Sequence, residues 1–167
     1  MAAETADPRW LDEEEQQTWL AMVGMFIRLP AALDTQLQRD AGISHFEYQV
    51  LAGLSMAPER TRRMSELAGF AESSLSRLSH TTRRLEGKGW IRRTPDPADG
   101  RYTLAILTDA GWDKVVATAP GHVAEVRRVF VEALTQPQRK QLREIAQRIN
   151  GAIGPAGPCP GEQREES

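Results

Sequence analysis

Apolar residues recur every three or four positions along most of this chain, and they depart from that period once, near its middle. Trp19, Met22, Val23, Phe26, Leu29, Leu33 and Leu37 form the first stripe. That spacing predicts a long helix. Asp12 and Glu15 make a capping box ahead of it, Pro30 is expected to kink it, and Gly42 supplies its stop. Ser44 and Glu47 start a second helix, with Phe46, Val50, Leu51 and Leu54 facing inward. "APERTRR" reads as a loop, and "MSELAGFA" as a helix too short to stand alone. After a break at Glu72 comes "SSLSRLSHTTRRLEGKG", with Leu75, Leu78 and Leu85 as its buried face and Gly87 and Gly89 as its end.

The exception follows. "WIRRT" and "YTLAIL" are short β-prone runs joined by "PDPADGR", a hairpin with a polar, turn-rich tip. Thr108 then caps a helix carrying Trp112, Val115, Val116, Val123, Val126 and Phe130, which Pro120-Gly121 is expected to bend or break. Thr135 and Gln138 cap the last helix, with Leu142, Ile145, Ala146 and Ile149 as its stripe. The first nine residues and the Gly/Pro-rich stretch from Gly151 onward read as disordered tails.

The order short helix, break, helix, hairpin is that of a winged helix-turn-helix. The fold class is therefore mainly α with a small two- or three-stranded β wing. Residues 43–107 form the winged unit, flanked by a helical region made of residues 12–42 and 108–150. The first helix is long, and the closing helices are apolar beyond what one small domain needs.

Charge sharpens this reading. The 167 residues carry a formal net charge of −2. Arg60 to Thr103 nonetheless holds ten lysines and arginines against five aspartates and glutamates, +5, and the rest of the chain carries −7. A basic middle between acidic arms fits a local polyanion site. Opposite the leucine stripe of the second helix of the unit stand Ser73, Ser74, Ser76, Arg77, His80, Thr81 and Arg84. These side chains can donate to phosphates and base edges of a double-stranded DNA. At the hairpin tip Arg101 extends a cation suited to the narrow minor groove. Asp99, two positions earlier, can bond turn amides or hold that guanidinium. The competing reading is an exposed charged face on a winged module used for protein contacts without DNA.

Other classes find less support. No G-x-S-x-G, P-loop, H-E-x-x-H or paired-carboxylate signature appears, so an enzyme is not expected. No apolar run approaches the roughly 18 residues of a membrane span. One cysteine, Cys159, cannot form an internal disulfide, and a cytoplasmic protein is the default. His45, His80 and His122 lie on separate elements without ligand spacing, so neither a metal nor another cofactor is expected.

The chain resembles the MarR family of bacterial winged-helix regulators (multiple antibiotic resistance regulators). The resemblance covers roughly residues 12 to 150. It is carried by Leu67-Ala68, Leu85-Glu86, Gly89, Trp90-Ile91, Asp99-Gly100-Arg101, and Leu107-Thr108 with Gly111. Trp90 stands where the family usually has leucine or a similar residue. The resemblance implies a homodimer built from the first and last two helices of both chains, reading near-palindromic DNA. It also implies a regulator, with repression the default action of a dimer lying across a promoter. A small aromatic or anionic effector is implied in a crevice between dimer helices and winged domain. Trp19, Arg28 and His45 are the candidates to border it, with ordinary packing as their competing role.

Overall fold

Each long helix begins where a short polar side chain takes over an orphaned backbone N–H. The structure is a computed structural model and describes residues 9–154. Asp12, Ser44, Thr108 and Thr135 cap α1 (Glu13–Ala41), α2 (His45–Ser55), α5 (Asp109–Val126) and α6 (Gln136–Ile153). Three of these caps are reciprocal, closed by Glu15, Glu47 and Gln138. Gly42 ends α1 with a left-handed φ of 63°.

Between α2 and α5 run a short 3₁₀ turn (Pro58–Arg60), β1 (Thr61–Arg63), α3 (Met64–Phe70), α4 (Leu75–Gly87), β2 (Ile91–Pro95) and β3 (Thr103–Leu107). The architecture is mainly helical with a three-stranded antiparallel sheet ordered β1-β3-β2. In register, Thr61 faces Ile106 and Ile91 faces Leu107. The stretch expected to be a loop thus contains an edge strand. Three residues are too few to show alternation, and the strand exists because the hairpin offers β3 as a template.

The core lies where α1, α2, α3, α4 and the sheet meet. Leu37, Ile43, Leu51, Leu54, Leu67, Leu78 and Leu85 are fully buried there, joined by Ile91, Ala105 and Leu107. Each such leucine contributes about 1.5–3 kcal/mol by leaving water. Leu78 and Leu85 therefore clamp α4 to the domain. Leu75 does not join them: it is 40% exposed, because it opens the first turn of α4, beyond the edge of the core.

Both expected interruptions are milder than the sequence suggests. α1 continues through Pro30, and α5 continues through Pro120-Gly121 before a π-helical turn at Arg127–Val131. A proline removes one intrahelical bond, and packing can hold the helix across that gap. α5 is anchored to α1 by Lys114, whose Nζ donates to the Ala41 carbonyl at 2.7 Å. α6 runs to Ile153, past the boundary expected at residue 150. Cys159 and the rest of the expected tails lie outside the described residues.

Two surfaces stand out for their exposed apolar area. α1 is long and apolar enough, by length and composition, to cross a membrane, and little of it is buried in this chain. Trp19, Leu20, Phe26 and Ile27 are exposed along it. α6 has no buried residue at all, and Ile145, Ile149 and Ile153 are exposed on it.

Gly111, in the first turn of α5, is buried against the hairpin. A Cβ built there collides with the backbone carbonyl of Trp90 and meets a Leu107 methyl at 2.7 Å. Thr108, three residues earlier, ties the same junction by donating its hydroxyl to the Gly89 carbonyl at 2.7 Å. Gly111→Ala is therefore expected to destabilise the fold by about 1–3 kcal/mol through overpacking. A urea titration followed by circular dichroism checks this, with Gly100→Ala, whose added Cβ meets open space, as the neutral control.

Candidate nucleic-acid interface

α3, the turn after it and α4 form the helix-turn-helix. The turn is tight: the Ser73 N–H donates to the Ala68 carbonyl at 2.9 Å, and Glu72 takes a left-handed φ of 45°. Ser74 then caps α4, its hydroxyl accepting from the Arg77 N–H at 3.3 Å. Ser74, Ser76, Arg77, His80 and Arg84 are exposed on α4, and Ser73 is half-buried just before it. Thr81 departs from the expected polar face. It is 6% exposed, because it lies on the flank turned toward the domain, beside fully buried Thr82. A cleft of about 1050 Å³ runs along that flank, between α4 and the Pro30–Asp34 stretch of α1. Thr81 lines this cleft together with Ser74, Ser76, Arg77, His80 and Arg84, and differs from them in being buried.

The hairpin tip is rigidly built. Asp99 Oδ1 accepts from the Arg101 N–H at 3.1 Å, and Asp99 Oδ2 accepts from Arg101 Nη2 at 2.9 Å. Asp99 thus plays both roles open to it, turn former and guanidinium holder. Arg101's bonds hold the Asp99 carboxyl below its ordinary pKa. At the base of the tip, Asp96 is buried; it accepts from the Ala98 N–H and from the Arg63 guanidinium, both at 2.9 Å. Arg63 also lies over the Tyr102 ring, 4.5 Å from its centre. Neither Asp96 nor Arg63 is legible as a site residue from sequence. The short D-P-A segment hints at an Asx turn, but its partner lies 33 positions away.

A second unanticipated residue sets the pose of α4. Glu47 is only 3% exposed. Besides closing the Ser44 cap, its carboxylate receives Arg84 at 2.7 Å and Lys88 at 3.5 Å. Burial alone would raise its pKa; the Arg84 bond, the Ser44 amide and Lys88 outweigh burial and leave it lowered. From the other side, Arg93 of β2 grips Glu86 of α4 through Nη2 at 2.6 Å. Helix and wing are thus fastened to one frame. Arg84, expected as a DNA contact, already has a protein partner.

The three effector candidates are not brought together. His45 lines the cleft beside α4, its backbone N–H donating to Asp34 at 2.7 Å. Its ring lies 6.0 Å from that of His122, and burial lowers the pKa of both imidazoles. Arg28 borders a separate, largely apolar cavity of about 500 Å³ between α1, the π turn and α6, and Trp19 lines neither space. Among the described residues no group of three or more His, Cys, Asp or Glu is placed to hold a metal ion.

Comparison with known proteins agrees with this geometry. Residues 43–103 match the model of the MarR family. The structure is similar to Sco3205 of Streptomyces coelicolor, a MarR family transcriptional regulator solved in complex with DNA. The two are 45% identical, with a TM-score of 0.86, over 90% of this chain and 94% of that one. It is also similar to AbsC, a MarR family regulator of the same organism, at 33% identity and a TM-score of 0.83 over 87% of this chain and 98% of that one. YxaD of Bacillus subtilis, an uncharacterized HTH-type transcriptional regulator, is 30% identical over 77% of this chain and 87% of its own length.

Because Glu47 is the buried end of the α2–α4 link, Glu47→Gln is expected to cost about 1–2 kcal/mol. That is less than for a fully buried pair, since Arg84 and Lys88 can rehydrate. A carboxylate whose pKa is lowered by folding adds stability above its unfolded pKa and loses it as pH falls. The difference between wild type and Glu47→Gln should accordingly shrink on acidification below the ordinary carboxylate range. Denaturant melts at pH 7 and at pH 3–4 measure it.

Proposed function

Since the chain belongs to the MarR family, whose members are transcriptional regulators and not enzymes, we propose that it works as a homodimeric, sequence-specific DNA-binding repressor. The observation that carries this reading is the joint placement of α4 and the wing. Ser74, Ser76, Arg77 and His80 project from α4, the Asp99–Arg101 tip projects from the hairpin, and both are braced to the same core. α4 enters a major groove in this reading, and Arg101 meets the minor groove or a phosphate beyond it.

The dimer is built from α1, α5 and α6, with residues 43–107 as the DNA-binding unit. The exposed apolar side chains of α1 and α6, with Val116 and Val123 of α5, support it. A helix such as α6, with no buried residue, needs cover to be stable as an amphipathic element. Two protomers related by a two-fold axis present two α4 helices to half-sites about one helical turn, roughly 10 bp, apart. Repression follows from occupying a promoter.

A small aromatic or anionic effector that prefers one spacing of the two α4 helices would release the DNA. The cleft beside α4, bordered by His45 and Arg77, is the site we assign to it. A protein working on chromosomal DNA belongs in the cytoplasm.

The test is an electrophoretic shift with selected genomic fragments at several salt concentrations. DNA affinity should fall with a log–log slope of about −0.9 per phosphate neutralised, and a flat response would favour a protein-contact module. Arg101→Ala is expected to weaken binding to all sequences while leaving the thermal melt in place. Arg77→Ala should in addition relax base preference by about 1–3 kcal/mol at one base pair. Ile145→Asp puts a charge on the uncovered face of α6; sedimentation should then report a shift from dimer toward monomer, and an unchanged dimer would place the interface elsewhere.

A further inference from the structure

Two consecutive residues at the start of α2 meet two arginines of α4. Arg77 and Arg84 are seven positions apart, two turns of one helix, and so share a face. Glu47 takes Arg84 as an ion pair. Phe46 takes Arg77, whose guanidinium carbon sits 4.1 Å from the ring centre. The two contacts leave different things behind. An ion pair consumes N–H donors. Stacking occupies only the flat face of the guanidinium and leaves its edge donors for another partner.

Most other arginines near this surface are already committed. Arg60 bonds Asp109, Arg62 the Gly53 carbonyl, Arg63 Asp96, Arg93 Glu86 and Arg101 Asp99. The Arg77 side chain, by contrast, has no hydrogen-bond or ion-pair partner among the described residues, only the ring beneath it. Arg83 of α4 and Arg92 of β2 also lack a hydrogen-bond or ion-pair partner among the described residues, but neither lies over an aromatic ring. The Arg77 backbone N–H is fixed by the Ser74 cap, so the root of the side chain is held as well. Phe46 is half-buried and packs against the hydrophobic core, which makes the shelf stiff.

We propose that Phe46 is a positioning residue for sequence recognition: it holds the Arg77 plane so that the guanidinium edge, with two parallel donors, is offered to the O6 and N7 acceptors of a guanine in the major groove. Arg84, paired with Glu47 through Nη2, braces the helix and is not the residue this inference assigns to base reading. A guanidinium already fixed in one plane loses less side-chain entropy on binding than a freely rotating one. The proposal rests on the DNA-binding reading of α4.

The experiment uses the full chain. A preferred duplex is selected from a random library with the wild-type protein, and each base pair is then replaced in turn. Arg77→Ala is expected to flatten the preference at one guanine. Phe46→Leu should reduce the preference at that same base pair about fivefold, the scale of a cation–π contact, and leave the salt slope unchanged. Phe46→Trp, which keeps an aromatic shelf, should retain the preference. Phe46→Leu placed on Arg77→Ala should add no further loss of discrimination. The inference is overturned if Phe46→Leu weakens every sequence equally or leaves the preference intact, or if Phe46→Trp loses it. Should Phe46→Leu fail to fold, the Trp variant decides alone. If Arg77→Ala leaves base preference intact at every position, the reading of α4 fails and the inference falls with it; if only the Phe46 variants are silent, the inference alone falls.

Discussion

One buried carboxylate fixes the geometry on which the rest of the molecule depends. Glu47 is removed from water, and a charge so placed is tolerated only with partners to satisfy it. It finds one in its own helix cap and two on α4. The leucines of α4 set how deep the helix sits, since hydrophobic contact is not directional. The carboxylate adds what they cannot, a preferred rotation and register. Glu86 then passes that orientation to the hairpin through Arg93. Helix and wing therefore act as one piece, and their spacing is a property of the winged unit before any ligand or nucleic acid arrives.

The fold was legible wherever the signal was local. Caps such as Ser44 with Glu47 and Thr135 with Gln138 gave helix starts, the leucine period gave α4, and the change to β-prone runs gave the hairpin. The failures share a cause. β1 is created by its partner strand, α5 survives Pro120 because α1 supports it, and Leu75 is exposed because the core stops short of it. None of these facts is written within a few residues of the position concerned. The same holds for the interface. The exposed polar face of α4 and the arginine at the hairpin tip, the surface proposed to meet DNA, could be placed from spacing and composition. The allocation of charges could not: Arg77, Arg84, Arg93 and Arg63 look alike in sequence, and only the fold decides which are spent on carboxylates.

A division of labour separates the two halves of the chain. The winged unit holds nearly all of the fully buried side chains, while α1 and α6 leave isoleucines and aromatics uncovered. In the proposed dimer these surfaces are the raw material of the interface, and α1 needs no membrane to account for its apolarity. The cleft between α1 and α4 lies at the seam between the halves. A change in how the two are hinged would alter its width first.

The Asp99–Arg101 pair has a kinetic side. A lone cation attracts a polyanion over the full screening length, about 10 Å at 0.1 M salt. A cation bonded to its own aspartate is a dipole, whose field dies away faster with distance. In the proposed DNA complex, this pairing makes the tip contribute less to diffusional approach than to contact, where the guanidinium already has its orientation. Such an element governs how long a complex lives rather than how often one forms.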